Sequence, residues 1–150
     1  MPLVTLCLRL HQPVRLSPDE AASLWNEKNR EIFVQQAEQC YLPMLRLFAD
    51  LIGTHPDFRV AYVVSGTFLE QAEQFQPEVI EGLRGQLDAA GHNRQVEFFE
   101  QTYYHSLVSA FSDPRKTEFQ NQVSLHRQKL DDVFGVKPTT FADAHLLYDN

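Results

Sequence analysis

Three of the six histidines fall just after apolar, strand-like runs. His11 closes the run over residues 4–10. His105 ends the segment Gln101-Thr102-Tyr103-Tyr104-His105 after the run 96–99. His145 follows the run 139–142. A neutral imidazole both donates and accepts a hydrogen bond, which suits the hydroxyls of a sugar. Gln12 and Pro13 add an amide and a rigid turn beside His11. Tyr103 and Tyr104, next to His105, could form a wall on which a pyranose ring stacks. Each feature also has a structural reading. His11 could be satisfied by backbone, paired tyrosines are often core, and Ser65-Gly66-Thr67 could be only a tight turn into a helix. Trp25, in a polar loop, could cover the same face or anchor packing. His55, His92 and His126 fall in a loop, after a helix and within a helix, and read as surface or helix-packing residues.

The elements that must position these residues follow from periodicity. A first strand over 4–10 is followed by a polar loop and a long helix over about 28–52. Along it Ile32, Phe33, Ala37, Cys40, Tyr41, Met44, Leu45, Phe48, Leu51 and Ile52 recur at helical spacing, with Gly53 as a stop. A second strand over 58–64 ends at Ser65-Gly66. Thr67 to Glu70 is a capping-box pattern that opens a helix, and Pro77 starts another that runs to Gly91. A third strand covers 96–99. Asp113 caps a helix with Pro114 at its first position, ending near Gly135, and a fourth strand covers 139–142. Alternation of strand and helix predicts right-handed crossovers and a parallel sheet, whose carboxyl ends hold the site. Four strands would make a small open sheet or about half of a barrel, which needs seven or eight.

Composition narrows the partners. The chain has 150 residues, 43% hydrophobic, and a net charge of −7 without a basic cluster. Nucleic acid and anionic membranes are therefore poor partners. No apolar run approaches the ~20 residues that span a bilayer, and the amino-terminal stretch lacks signal-peptide features. Cys7 and Cys40 lie in apolar patterns and read as reduced core thiols, which fits a cytoplasmic location.

The chain resembles glycoside hydrolase family 57, the amylase and 4-α-glucanotransferase family with an incomplete (β/α)7, TIM-like barrel. The resemblance is carried by His11-Gln12-Pro13, Asn29 to Phe33, Cys40 to Pro43 and His55 to Phe58. It continues through Ser65 to Gln71, Thr102 to Leu107, Leu125-His126-Arg127 and Phe134-Gly135-Val136. It implies that residues 1–150 are the amino-terminal portion of a catalytic domain, about four strands of that barrel. It implies an α-glucan or maltooligosaccharide ligand, no cofactor and no metal. His11 and His105 match sugar-contacting histidines, and Gln12, Trp25, Ser65, Gly66, Tyr103 and Tyr104 complete the expected binding set.

The family mechanism is retaining. A Glu attacks the anomeric carbon, an Asp further along acts as acid/base, and the two carboxyls stand ~5–5.5 Å apart. This chain departs from that pattern. His145 stands where the nucleophilic Glu belongs, Gln101 stands where many relatives have Glu, and residue 150 precedes the acid/base strand. An imidazole forms no glycosyl ester and offers no negative charge to an oxocarbenium ion. The expectation is a catalytically impaired domain, truncated, that retains glucan binding. Two alternatives stand beside it. One is a metal-dependent, deacetylase-like hydrolase using Asp143, His145, His11 and His105. The other is a non-catalytic interaction module whose open sheet edges are covered by a second copy or a downstream chain.

Overall fold

A computed structural model describes residues 6–16, 26–91, 95–110 and 115–144. Val4 and Thr5, Trp25, His92, Asp113, Pro114 and His145, all of which carried expectations above, lie outside the described residues. The chain divides into two compact units. The first holds residues up to His11, Val60–Thr67 and the chain from Glu97. The second holds Gln12–Arg59 and Phe68–Val96.

The first unit is built on a three-stranded parallel sheet in the order β1 (Leu6–Leu10), β2 (Val60–Val64), β3 (Val96–Phe98). β1 and β2 pair in parallel with Leu6 opposite Val60 and Leu10 opposite Val64. β2 reads Val-Ala-Tyr-Val-Val and is buried at every position, as expected of a central parallel strand that needs apolar residues on both faces. The fourth expected strand reduces to one parallel bridge between Glu100 and Phe141, closed by Glu100 N–H to Thr140 O and Ala142 N–H to Glu100 O, each 2.8 Å. The guanidinium of Arg9 on β1 donates to the carbonyls of Asp143 and Ala144.

The final helix of this unit, Thr117–Phe134, packs Phe134 flat on Phe98 at 4.7 Å, and Phe98 in turn meets Tyr62 at 5.6 Å. Its described span starts at Thr117, with Lys116 as its cap. It stops where Gly135 takes the left-handed conformation (φ 66°), which only glycine adopts without a Cβ penalty.

The second unit is helical. The expected single long helix is three consecutive segments: α1 (Glu27–Gln36), a π-helical turn (Ala37–Tyr41) and α2 (Leu42–Thr54). Gly53 does not end it, because its backbone stays helical; the helix runs to Thr54 and His55 caps it. α3 (Gly66–Phe75), which begins in the first unit, and α4 (Glu78–Ala90, capped by Pro77) complete the set. The core here is aromatic: Phe33 lies 5.4 Å from Phe68, and Tyr41 meets Phe68 edge-on at 5.1 Å. Gln86 donates to Leu45 O at 2.9 Å and ties α4 to α2. Gln95 Nε2 donates to the carbonyls of Ile52, His55 and Phe58, which ties the residue before β3 to the end of α2 and the loop after it.

Both cysteines are exposed, not core thiols as their surroundings in sequence suggested. Cys7 sits on β1, an edge strand whose first two residues are open. Cys40 sits in the π-helical turn, where the extra residue per turn shifts the helical phase and rotates it outward. No helix among the described residues is long and apolar enough to cross a membrane.

Candidate functional site

The carboxyl ends of β1 and β2 and the turn after β3 bring His11, Ser65 and His105 together. The imidazoles of His11 and His105 stack, with centroids 4.3 Å apart and planes inclined by 28°. Each ring is also held at Nδ1. His11 Nδ1 shares a hydrogen bond with Ser65 Oγ at 2.8 Å, and Ser65 Oγ lies 3.1 Å from Thr67 Oγ1. A hydroxyl rotates to donate or accept, so this bond admits either His11 tautomer. His105 Nδ1 meets Gln101 Oε1 at 3.1 Å. An amide oxygen only accepts, so here Nδ1 carries the proton.

The backbone around these side chains is closely specified. Ser65 N–H donates to Leu10 O, joining the residue after β2 to the end of β1. Gly66 N–H donates to Tyr103 O at 2.8 Å. A Cβ on Gly66 would lie within 3.0 Å of the Tyr103 ring, so this position has room only for glycine. The turn Thr102 to His105 closes with His105 N–H to Thr102 O at 3.0 Å, and Thr102 Oγ1 accepts from Ser106 N–H at 3.1 Å. His105 takes a left-handed φ of 55°. Histidine is among the side chains that tolerate this region better than most, yet it costs about 1 kcal/mol.

The two tyrosines part company. Tyr103 is buried on Gly66, whereas Tyr104 is 52% exposed; their rings meet edge-on at 4.9 Å. Gln122 supports the turn from the last helix. Its Oε1 accepts from Ser106 Oγ at 2.8 Å and its Nε2 donates to Glu118.

Sequence reasoning placed His126 as helix packing and missed what it does for the site. It is fully buried on the last helix. Its Nε2–H donates to Val64 O at 2.6 Å, and its Nδ1 accepts Gln101 N–H at 3.3 Å. One imidazole thus staples the end of β2 to the start of the histidine-bearing turn. Burial holds its pKa below the usual histidine range, against smaller upward pushes from the Val64 carbonyl and the Glu100 charge. One residue on, Arg127 forms a two-point pair with Glu100, 2.6 and 3.0 Å long. A histidine within a helical pattern carries no mark of such a role; it shows only when the strand ends lie beneath it.

Gln12 belongs to the helical unit. Its Oε1 accepts from Tyr41 O–H at 3.4 Å and its carbonyl accepts from Gln71 Nε2 at 2.7 Å. Burial raises the Tyr41 pKa, the neighbouring Cys40 adding a smaller push, so the phenol keeps its proton for Gln12. Asn29 pairs with both backbone groups of Arg15, which fixes the chain after Pro13 onto α1. Among the described residues, no three of His, Cys, Asp and Glu come together in a way that could hold a metal ion.

Comparison with known proteins completes the description. Residues 5–150 match the profile described as glycosyl hydrolase family 57. The chain is 34% identical to a protein of Methanocaldococcus jannaschii provisionally named an alpha-amylase, over 99% of this chain and 32% of that protein. This chain therefore spans about a third of that relative's length. The fold is also similar to the crystal structure of a 4-alpha-glucanotransferase from Thermococcus litoralis. The TM-score is 0.63 at 17% identity, covering 86% of this chain and 17% of the other.

Proposed function

The chain belongs to glycosyl hydrolase family 57, and from that premise we propose that it forms the sugar-contacting, amino-terminal portion of an α-glucan-active barrel domain. The observation that carries this reading is the stacked pair of His11 and His105, held at Nδ1 by Ser65 and Gln101 at the carboxyl ends of parallel strands. Two oriented imidazoles suit hydroxyl-rich ligands, because each can donate or accept. The exposed ring of Tyr104 beside them is an apolar face for a pyranose. Tyr103 and Gly66 act underneath, as packing that sets the turn. The bridge from Glu100 to Phe141 supports reading residues 139–142 as a fourth strand of that barrel.

In this reading the chain binds glucan without cleaving it. His145 holds the place of the nucleophilic Glu. An imidazole there supplies neither the glycosyl ester nor the negative charge that a retaining displacement requires. Calorimetric titration of the whole chain with maltoheptaose, beside an assay for new reducing ends, tests both halves. Saturable heat with no new reducing ends is expected. No heat at millimolar sugar removes the binding role, and steady release of reducing ends removes the inactive one.

A further inference from the structure

Gln101 is fully buried, and its side chain is only half used. Its Oε1 accepts from His105 Nδ1, while its Nε2 is a buried amide nitrogen without a hydrogen-bond partner. Two other glutamines are used more fully. Gln122 engages both its oxygen and its nitrogen, and the Gln95 nitrogen serves three carbonyls. An unsatisfied buried donor costs about 1–3 kcal/mol. A residue that keeps such a cost, next to a histidine held in a left-handed backbone, earns it through what its other end does. Its main chain is fixed as well, since Gln101 N–H donates to His126 Nδ1. A chain of contacts therefore runs from Val64 O through His126 and Gln101 to His105, across the stack to His11, and back to Ser65 beside Val64.

From this arrangement we propose that Gln101 is a positioning residue that fixes His105 as the Nδ1–H tautomer, so that His105 meets a glucan hydroxyl through Nε2 as an acceptor. The inference rests on the glucan-binding reading and adds to it the direction of one hydrogen bond. The site then selects a ligand group that can donate. Gln101 touches no ligand in this scheme; it acts through the imidazole.

The test uses the whole chain at pH 8, where histidine is neutral. Nitrogen-15 spectra of the histidine rings read the tautomer, and calorimetry with maltoheptaose reads affinity. Wild type is expected to show His105 protonated at Nδ1. Gln101→Met keeps the volume but removes the acceptor. It is expected to lose that tautomer and to bind about tenfold more weakly, the size of one hydrogen bond. Gln101→Glu restores an acceptor oxygen and is expected to recover the tautomer and most of the affinity. A rescue of this kind would not arise from packing alone. The proposal is overturned if wild-type His105 carries its proton on Nε2. It is equally overturned if Gln101→Met binds as wild type does, or if Gln101→Glu, folded by its melting curve, binds as weakly as Gln101→Met. Should wild type give no heat with the sugar, the glucan reading fails and the acceptor role fails with it, while the ring spectra still decide whether Gln101 sets the tautomer.

Discussion

Two places in the same network hold imidazoles, and they treat them oppositely. His126 is sealed inside, with one nitrogen donating to Val64 O and the other accepting Gln101 N–H. His11 and His105 stand half-buried at strand ends, held at Nδ1 by side chains and stacked on each other. In the first place both partners are backbone groups, so the imidazole works as a piece of the fold. In the second the partners are side chains on short turns, so the rings are oriented for something outside. The difference teaches that a histidine's role follows from what holds it, and that the buried one ties Val64 to Gln101, next to the side chains that hold the exposed pair.

The comparison breaks most visibly at His126. His126→Ala leaves Val64 O and Gln101 N–H buried without partners and opens a cavity, so a loss of about 3 kcal/mol or more is expected in denaturant unfolding. A loss below about 1 kcal/mol would mean that the staple carries little. Gly66→Ala comes next. Its new methyl meets the Tyr103 ring, and overpacking of this kind costs about 1–3 kcal/mol. The Thr102–His105 turn should shift with it, which chemical-shift changes at His105 would report.

The pH dependence separates the two places more finely. The folded pKa of His126 lies below its unfolded value of about 6.5. The unfolded chain therefore binds the proton more readily as pH falls through that value. Stability is complete above about pH 6.5 and declines below it, by at most about 1.4 kcal/mol per pH unit for one proton. Melting curves at stepped pH check this, and the slope near pH 6 should shrink in His126→Ala. The smallest effect on the fold belongs to His105→Ala. It removes the stack and leaves the buried Oε1 of Gln101 without its partner, so stability should fall by about 1–2 kcal/mol. Affinity for maltoheptaose should nevertheless fall about tenfold or more. A large stability loss with unchanged affinity would reverse the distinction between the two places.

Much of this was legible in the sequence. Runs of Val, Ala, Tyr and Leu at β1 and β2, and helical spacing from Ile32 to Ile52, announced the elements because burial on a given face demands apolar residues at a given period. The order of those elements implied a parallel sheet, and the parallel register of β1 with β2 bears that out. Pro77 and Gly91 bounded α4 as expected, since ring closure and the missing Cβ act locally. Gly53 misled, because a glycine permits a stop without imposing one. Cys40 misled because the π-helical turn shifts the phase on which the periodicity argument depends.

The sequence by itself determined which side chains stand at the strand ends: His11 after Leu10, Ser65 after Val64, and the turn bearing His105 after Phe98. Those placements depend on chain order and local period alone. Only the tertiary structure decided how the side chains were used. It stacked His11 on His105, sent Tyr103 inward onto Gly66 while leaving Tyr104 open, and set His126 beneath two strand ends 62 and 25 residues away in the chain. The physical reason is that a hydrogen bond or a ring contact depends on distance in space, to a few tenths of an ångström, and residues far apart in the chain acquire that distance only when the sheet and its helix have packed.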